Sequence, residues 1–258
     1  LFIRDTLKQA RIGVGTRQTT SPTATLLQQD TAWYERQLVN TQLVGEFKLS
    51  PDVNFSFRAG YANSKREAPD ELSFEYYRSN QASDPYGEVF INRLNNGQQG
   101  SAEVSYSYLN EDLLSGSADL SFKITPDMTG TVGYAYADTK RRTERRDFLF
   151  TAPGGTPIVS ALFRPDFLLQ PDVIDFYNIT LTDTNEANPV FDAGLLTHAG
   201  YGQIQAFISP EVSLNMGVRY EKAEQTVSPV QVFTVPTASL ASTSLERAYW
   251  LPAATIIS

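Results

Sequence analysis

Apolar and polar residues alternate with a period of two along much of the chain, which is typical of β-strands with two different faces. After Pro51, the odd positions 53–61 are mainly apolar or aromatic, and the even positions between them are mainly polar or small. The clearest run spans 102–124, where the odd positions are mainly serine or charged residues. One parity holds throughout that run, so it predicts a single long strand without a bulge.

A turn pattern of aliphatic, hydroxyl, proline, acid and apolar residues occurs three times, at 49–53, 124–128 and 208–212. Proline fixes the backbone of a tight turn, and the hydroxyl and acid can accept hydrogen bonds from nearby backbone. A phenylalanine lies three or four residues before each proline, and a tyrosine lies ten residues after it. These aromatic residues are Phe47, Phe122 and Phe207, and Tyr61, Tyr136 and Tyr220.

The alternation predicts about eight strands: 2–17, 32–48, 53–66, 102–124, 129–149, 192–208, 212–226 and 246–257. The three proline turns are short and fall at one end of the strands. The connections at the other end are long, at 18–31, 67–101, 151–191 and 227–245. Such asymmetry is typical of outer-membrane barrels, where the long loops lie outside the cell.

The interval between proline and tyrosine also suggests a membrane. Ten residues at ~45° tilt rise by about 23 Å, close to the ~25 Å apolar band of outer-membrane barrels. The phenylalanines and tyrosines would then form the two aromatic girdles at the interfaces. The predicted fold is therefore all-β, an antiparallel up-and-down transmembrane β-barrel that is only partly present in this chain.

Composition agrees with this interpretation and excludes several other classes. Aromatic residues make up 12% of the 258 residues and charged residues only 19%, and there is no cysteine. No stretch approaches the roughly 18 apolar residues of a transmembrane helix, and the net charge of −8 argues against a nucleic-acid partner. His198 is the only histidine, and neither a serine-nucleophile motif nor a regular acidic metal-binding spacing occurs. We therefore expect no catalytic residue, no metal site and no cofactor.

Three groups of residues are candidates for contacts. The polar parity places five charged side chains in the predicted lumen, where they either contact a solute or plug or hold the barrel in shape: Arg58, Asp119, Lys123, Arg219 and Glu221. Three cations lie just above the outer girdle on the lipid-facing parity, where they could bind lipopolysaccharide phosphates or pair with nearby acids: Lys140, Arg142 and Arg146. Exposed-loop residues could bind a ligand or pack the loops together: Tyr76, Tyr77, Arg78, Phe163, Arg164 and Phe167.

From about residue 32 onward, the sequence resembles the middle of the barrel domain of TonB-dependent outer-membrane receptors. The phrases that carry the resemblance are Ser64–Asp70 with Phe74–Tyr77, Tyr108–Leu113, Gly133–Tyr134 with the arginines at 141–146, Gly217–Glu221 and Trp250–Ala254. Each phrase is loose, and their order and spacing together are the specific feature.

The resemblance implies a location in the bacterial outer membrane and import of a scarce bulky solute, such as a ferric siderophore, a cobalamin or an oligosaccharide. It also implies lipid and lipopolysaccharide as neighbours, and energy from a TonB–ExbB–ExbD complex acting through a plug domain. No plug domain is visible in this sequence. We expect residues 1–258 to be a fragment of one barrel domain, cut at both ends from a longer protein.

Two alternatives stay open at this point. The strand count permits a self-contained eight-stranded outer-membrane barrel with a structural or adhesion role. Alternation also permits a soluble secreted β-sandwich that works as a binding module.

Overall fold

The chain folds into one antiparallel sheet of consecutive strands, in a computed structural model that describes residues 1–16, 23–94, 100–154, 156, 158–184, 189–232 and 241–257. The strands are β1 (Phe2–Gly15), β2 (Thr25–Ser50), β3 (Val53–Arg78), β4 (Ser101–Thr125), β5 (Met128–Thr151), β6 (Thr180–Asp183), β7 (Val190–Phe207), β8 (Ser213–Pro229) and β9 (Thr243–Ile257). Their order is β1-β2-β3-β4-β5-β7-β8-β9, and the short β6 pairs with β5. The predicted antiparallel up-and-down architecture is confirmed. Across the described residues the sheet is not closed, because β1 and β9 each have one neighbour.

Several strands are longer than the alternation predicts. β2 begins at Thr25 rather than at residue 32, and β3 continues to Arg78 rather than ending at residue 66. The predicted loops 18–31 and 67–101 are therefore shorter, and parts of them, residues 17–22 and 95–99, lie outside the described residues. Residues 185–188 and 233–240, from the other two predicted loops, also lie outside them.

A bulge explains why the end of β3 was predicted too early. The pairing of β3 with β4 shifts between Ala68 and Glu71, and its pairing with β2 shifts between Trp33 and Glu35. Residues inserted around Pro69 reverse the parity of everything that follows them on β3. By contrast, β4 pairs with β5 without interruption from Glu103 to Lys123, as its single parity predicts.

The proline turns form as the sequence predicts, and the hydroxyl groups of two of them accept hydrogen bonds from the backbone. The amide of Asp52 donates to Ser50 Oγ at 3.3 Å, and the amide of Val212 donates to Ser209 Oγ at 3.1 Å. The turns join β2 to β3, β4 to β5 and β7 to β8 at the same end of the sheet.

The tyrosines that follow the turns are offset regularly across the sheet. On β5, Asp138 is in register with Tyr61, and Tyr136 lies two residues nearer the turn. On β8, Lys222 is in register with Tyr136, and Tyr220 again lies two residues nearer the turn. Two residues span about 6.6 Å along a strand, and two strand spacings span about 9.6 Å across the sheet. The three tyrosines would therefore lie at one height, here called the tyrosine level, if the strands tilt by about 35° from the barrel axis. That angle is within the ~35–45° range of membrane barrels.

Two of the three phenylalanines before the turns, Phe47 and Phe122, show the same offset. Phe122 lies two residues nearer the turn than the β4 residue in register with Phe47. On β3 the phenylalanine level falls at Asn54, seven residues below Tyr61, which is roughly 19 Å at this tilt. Phe207 departs from the pattern, because it precedes its proline by three residues rather than four. It pairs with Ser213, so strand alternation assigns it to the opposite face.

We call the face that carries Tyr61 the outer face and the face that carries Arg58 the inner face. Beyond the tyrosine level, the outer face of β3, β4 and β5 is covered by the described residues of 79–94 and 152–179, which we call the outer cap. The cap includes three helices, α1 (Ile158–Ala161), α2 (Pro165–Leu168) and α3 (Pro171–Tyr177), where the sequence predicts only a loop. None of the helices among the described residues is long and apolar enough to cross a membrane.

The outer cap has a small hydrophobic core of its own. Buried side chains from the strands and the cap meet there: Phe74, Tyr76, Leu94, Ala102, Ala152, Leu168 and Ile179. The amide of Asn92 donates to the carbonyl of Ala161 at 2.8 Å and joins the two cap segments.

Candidate functional site on the inner face of the sheet

A row of polar side chains crosses the inner face between the phenylalanine and tyrosine levels. Asp119, Gly133, Tyr201 and Arg219 are consecutive neighbours on β4, β5, β7 and β8. The Tyr201 hydroxyl donates to the carboxylate of Asp119, two strands away. Arg219 lies 5.7 Å from the Tyr201 ring and donates two hydrogen bonds to Glu221, at 2.8 and 2.9 Å. The row therefore crosses four strands and links three of them, β4, β7 and β8, through side chains.

Gly133 makes the bond from Tyr201 to Asp119 possible. A Cβ atom at this position would overlap both the Tyr201 ring and the Asp119 carboxylate. Glycine inside a strand often marks a close approach of this kind. The tyrosine side chain crosses the intervening strand through the space that the missing side chain leaves.

The five predicted lumen residues share the inner face but form no single cluster. Asp119, Arg219 and Glu221 belong to the polar row, whereas Arg58 and Lys123 have no ion-pair partner among the described residues. Lys123 lies just before the proline turn at 124–128. Its backbone amide donates to the carbonyl of Asp52, in the proline turn at 49–53, at 2.9 Å. Contact of these residues with a solute or plug stays a prediction.

A second polar network lies on the inner face beyond the tyrosine level, on β2 to β5. Tyr34 donates to Glu71 at 2.7 Å, and Arg145 lies 3.4 Å from the other oxygen of Glu71. Arg145 also donates to Ser105 Oγ at 3.2 Å, and Ser105 donates to Asp147 at 2.6 Å. The network links residues that are far apart in sequence.

The upper row of this network contains a carboxylate that accepts two hydrogen bonds. Asp30 accepts hydrogen bonds from Gln28 at 3.0 Å and from Ser73 at 2.9 Å. Arg11 on β1 and Glu103 on β4 extend the same row at its two ends. We call this whole surface the mouth wall: Arg11, Gln28, Asp30, Tyr34, Glu71, Ser73, Glu103, Ser105, Arg145 and Asp147.

Tyr34 lies at the base of the mouth wall. The Glu71 carboxylate, which accepts its hydrogen bond, raises the pKa of Tyr34 above the ordinary value. The guanidinium groups of Arg66 and Arg36 lie 5.0 and 5.8 Å from the Tyr34 ring. Both are within the ~6 Å range of cation–π attraction. The ring is thus held by its neighbours and its hydroxyl stays protonated.

The exposed-loop candidates lie mostly in or beside the outer cap, on the face opposite the mouth wall. Tyr76 is buried, its hydroxyl donates to the carbonyl of Phe163 at 2.8 Å, and burial raises its pKa well above the ordinary value. Phe163 packs against the cap core, and Phe167 is half exposed. Arg164 donates to Asp166 at 2.6 Å on the surface. These contacts are those of loop packing, and ligand binding by these residues stays a prediction.

The two neighbours of Tyr76 on β3 have different surroundings. Arg78 lies 4.6 Å from the Phe90 ring of the cap. Tyr77 forms a β-bridge with Ile91 and lies on the inner face, in register with Leu26.

The three cations beyond the outer tyrosines each have an acidic neighbour. Lys140 lies 3.3 Å from Asp138, Arg142 lies 3.4 Å from Asp192, and Arg146 lies 3.0 Å from Glu144. All lie on the outer face by strand alternation. Binding of lipopolysaccharide phosphates there would compete with these ion pairs and stays a prediction.

The sequence pattern did not reveal Tyr34, Glu71, Arg145 and Tyr201 as site residues. Tyr201 lies on an inner-face position of a predicted strand, so its parity was available as a signal. Glu71 lies beyond the bulge on β3, where the alternation is interrupted. In the part of the chain that the structure describes, no group of three histidine or acidic residues could hold a metal ion.

Comparison with known proteins finds similarity in structure only. No protein-family model and no curated protein sequence matches the chain. The siderophore receptor PiuA from Acinetobacter baumannii aligns with 90% of the chain at 12% identity and a TM-score of 0.51. The ferric citrate transporter FecA aligns at a TM-score of 0.39 and 12% identity, covering 99% of the chain and 39% of FecA.

The match to PiuA confirms the fold that the sequence resemblance implies, an antiparallel sheet like that of a β-barrel receptor. The chain spans 36% of the length of PiuA. At 12% sequence identity, the similarity to PiuA concerns the fold only.

Proposed function

We propose that the chain is part of the wall of an outer-membrane receptor that imports a scarce, bulky solute. The observation that carries the proposal is the regular offset of the three tyrosines, repeated by Phe47 and Phe122, which places these residues at two levels if the strands tilt by about 35°. A sheet in water has no reason to keep aromatic residues at two parallel levels, whereas a membrane has two interfaces. In this proposal the protein transports and does not catalyse a reaction.

The inner face supports passage of a polar solute. Its row from Asp119 to Glu221 is charged and hydrogen-bonded, while the outer face at the same depth exposes apolar side chains such as Val132 and Val218. Such a division suits lipid on one side and water on the other. The candidate solutes are a ferric siderophore, a cobalamin or an oligosaccharide.

The proposal includes partners outside this chain. A plug domain inside the barrel would couple solute release to a TonB–ExbB–ExbD complex. Lipid would cover the outer face up to the tyrosine level, and the phosphates of lipopolysaccharide would meet Lys140, Arg142 and Arg146 just beyond it.

The open sheet favours this proposal over the two alternatives. In a self-contained eight-stranded barrel, β1 would pair with β9, but each pairs with one neighbour only in the described chain. A β-sandwich needs a second sheet packed on the first, and the described strands form one sheet.

The test uses the natural protein that contains this sequence, in its own cells. We expect it in the outer-membrane fraction, with heat-modifiable migration on a gel. Deleting the gene should abolish growth on one scarce solute, and a protonophore should abolish that uptake in the wild type. A protein that is monodisperse in buffer without detergent would contradict the proposal, and so would uptake that persists without the gene for every solute tested.

A further inference from the structure

The mouth wall borders a shallow cavity of about 340 Å³ on the inner face, beyond the tyrosine level. We propose that this cavity binds a neutral, polyhydroxylated solute of the oligosaccharide class. The inference rests on the proposed function and narrows its list of solutes.

The charge of the cavity argues against an anionic ligand. Its ionised lining groups are three carboxylates and two guanidiniums: Asp30, Glu71, Glu103, Arg11 and Arg145. An anionic metal complex would face this slight excess of negative charge, with like charges close by. A neutral ligand is not repelled by it.

The hydrogen-bonding state of the wall favours hydroxyl groups as partners. At the centre, Asp30 and Glu71 are held by Ser73, Gln28 and Tyr34, so their geometry is fixed. A carboxylate has about four acceptor sites, and a guanidinium has five donors. The remaining sites need a partner that both donates and accepts, as a hydroxyl group does.

The ends of the upper row offer a free donor and a free acceptor. Arg11 and Glu103 have no ion-pair or hydrogen-bond partner among the described residues, although Glu103 is partly buried. They lie three strands apart, which is roughly 14 Å. This spacing suits a ligand longer than one sugar ring, which would reach both groups and cross Asp30 and Ser73 between them.

The surroundings of Tyr34 exclude recognition by stacking of an aromatic ligand on its ring. Its ring already has Arg66 and Arg36 at cation–π distance, so it is not a free platform for a flat aromatic ligand. The outer cap packs on the outer face of β3, β4 and β5, opposite the mouth wall. The solute would thus be recognised by hydrogen bonds and reach the wall from outside.

The test is calorimetric titration of the purified natural protein in detergent. The probes are a panel of neutral oligosaccharides (malto-, isomalto-, cello- and manno-heptaose series) and two anionic complexes, ferric citrate and ferric tris-catecholate. We expect at least one neutral series to bind. Arg11→Gln and Glu103→Gln should each weaken binding by about tenfold, as expected for loss of a hydrogen bond to a charged group.

Matched variants on the outer face provide the control. Lys8 is on the same strand as Arg11 but lies over the Trp33 ring at 4.6 Å, and Glu67 lies on β3 opposite Tyr108. Lys8→Gln and Glu67→Gln should leave binding unchanged. Affinity for a neutral ligand should also stay constant when the salt concentration is raised about tenfold. Salt screens interactions between charges, and a neutral ligand carries none.

Three outcomes would overturn the inference. They are binding of an anionic complex alone, loss of affinity with salt, or no binding of any neutral series by protein that migrates as a heat-modifiable barrel. A preparation that shows no heat-modifiable migration and needs no detergent would instead count against the proposed function. The same gel therefore separates the two failures.

Discussion

The strands β3, β4 and β5 each contain two regions that differ in what covers their outer face. At the tyrosine level and below it, Leu114 and Val132 are 52% and 49% exposed. Beyond it, Phe74 and Ala102 are 2% and 0% exposed, because the outer cap lies on them. An apolar face therefore identifies the side that is not water, but the sequence alternation alone does not say whether lipid or protein covers it.

The inner face differs less between the two regions. It is polar in both, with Tyr201 and Asp119 hydrogen-bonded in one, and Tyr34 and Glu71 in the other. A continuous polar face on one side and an interrupted apolar face on the other fits a wall around water that rises beyond the membrane.

The largest effect is expected from emptying the cap core. Phe74→Ala should reduce the stability of the outer cap by about 3–5 kcal/mol, because a buried aromatic ring leaves a cavity. Hydrogen exchange at the amides of Asn92 and Ile91 should become faster, while the heat-modifiable transition of the barrel stays in place. Leu162→Ala, at a half-exposed site of the cap, is the matched control and should have little effect on exchange. A lower barrel transition in Phe74→Ala would contradict the separation of the two regions.

The next effect comes from placing a charge on the outer face below the tyrosine level, which faces lipid in the proposed function. Val132→Arg should cost about 2–4 kcal/mol, as arginine does near the midplane of a membrane barrel. Gln203→Arg lies at almost the same depth on the inner face and should be nearly neutral. Urea titration of the protein refolded into lipid vesicles measures both variants. Equal costs would mean that the two faces meet the same solvent.

A smaller effect tests the polar row on the inner face. Gly133→Ala should cost about 1–3 kcal/mol, because its Cβ would displace the Tyr201 ring from Asp119. Gly200→Ala is the control, since nothing lies within 4 Å of the added atom. In a Tyr201→Ser background the penalty at Gly133 should largely disappear in a double-mutant cycle. A penalty that persists there would show that the glycine has another role.

The smallest effect is a pH dependence confined to the cap. Hydrogen bonds from the Ser79 hydroxyl and the Tyr86 amide lower the pKa of Asp84. Because the pKa of Asp84 is lowered in the folded state, its ionised carboxylate stabilises the turn at pH values above the ordinary aspartate pKa near 4. That stabilisation is lost as pH falls through the lowered pKa.

Oxidative footprinting checks this dependence. Labelling of Tyr86 should increase as the pH is lowered from 6 to 2.5. The Asp84→Asn variant should show the increased labelling already at pH 6. Tyr106, on a strand surface without such a contact, should be labelled alike throughout. If Tyr86 labelling in the wild type is independent of pH, Asp84 does not hold the turn.

The proline turns and the strands beside them could be predicted from the sequence because their causes are local. The hydroxyl of Ser209 bonds within its own turn, and the alternation of β4 follows from its two faces. The extension of β3 could not, because Pro69 lies in a bulge that reverses the parity.

The outer cap and the mouth wall depend on contacts between distant parts of the chain. Leu94 and Leu168 share one core, and Arg145 meets Glu71 across 74 positions of sequence. No local pattern encodes such pairs. Asp119 and Arg219 could be assigned to the inner face from parity, but the tyrosine between them becomes visible only when the strands are in register.

The most direct test of the membrane-spanning wall is spin-label accessibility along β5 in the natural protein, reconstituted in a lipid bilayer. The sequence contains no cysteine, so single cysteines can be introduced and labelled one at a time. Even positions from 130 to 136 should be accessible to oxygen and not to a water-soluble nickel reagent, and positions 131 and 135 should show the reverse. At 148 and 150 both reagents should be excluded by the outer cap. Equal access of the nickel reagent to both faces from 130 to 136 would contradict the account.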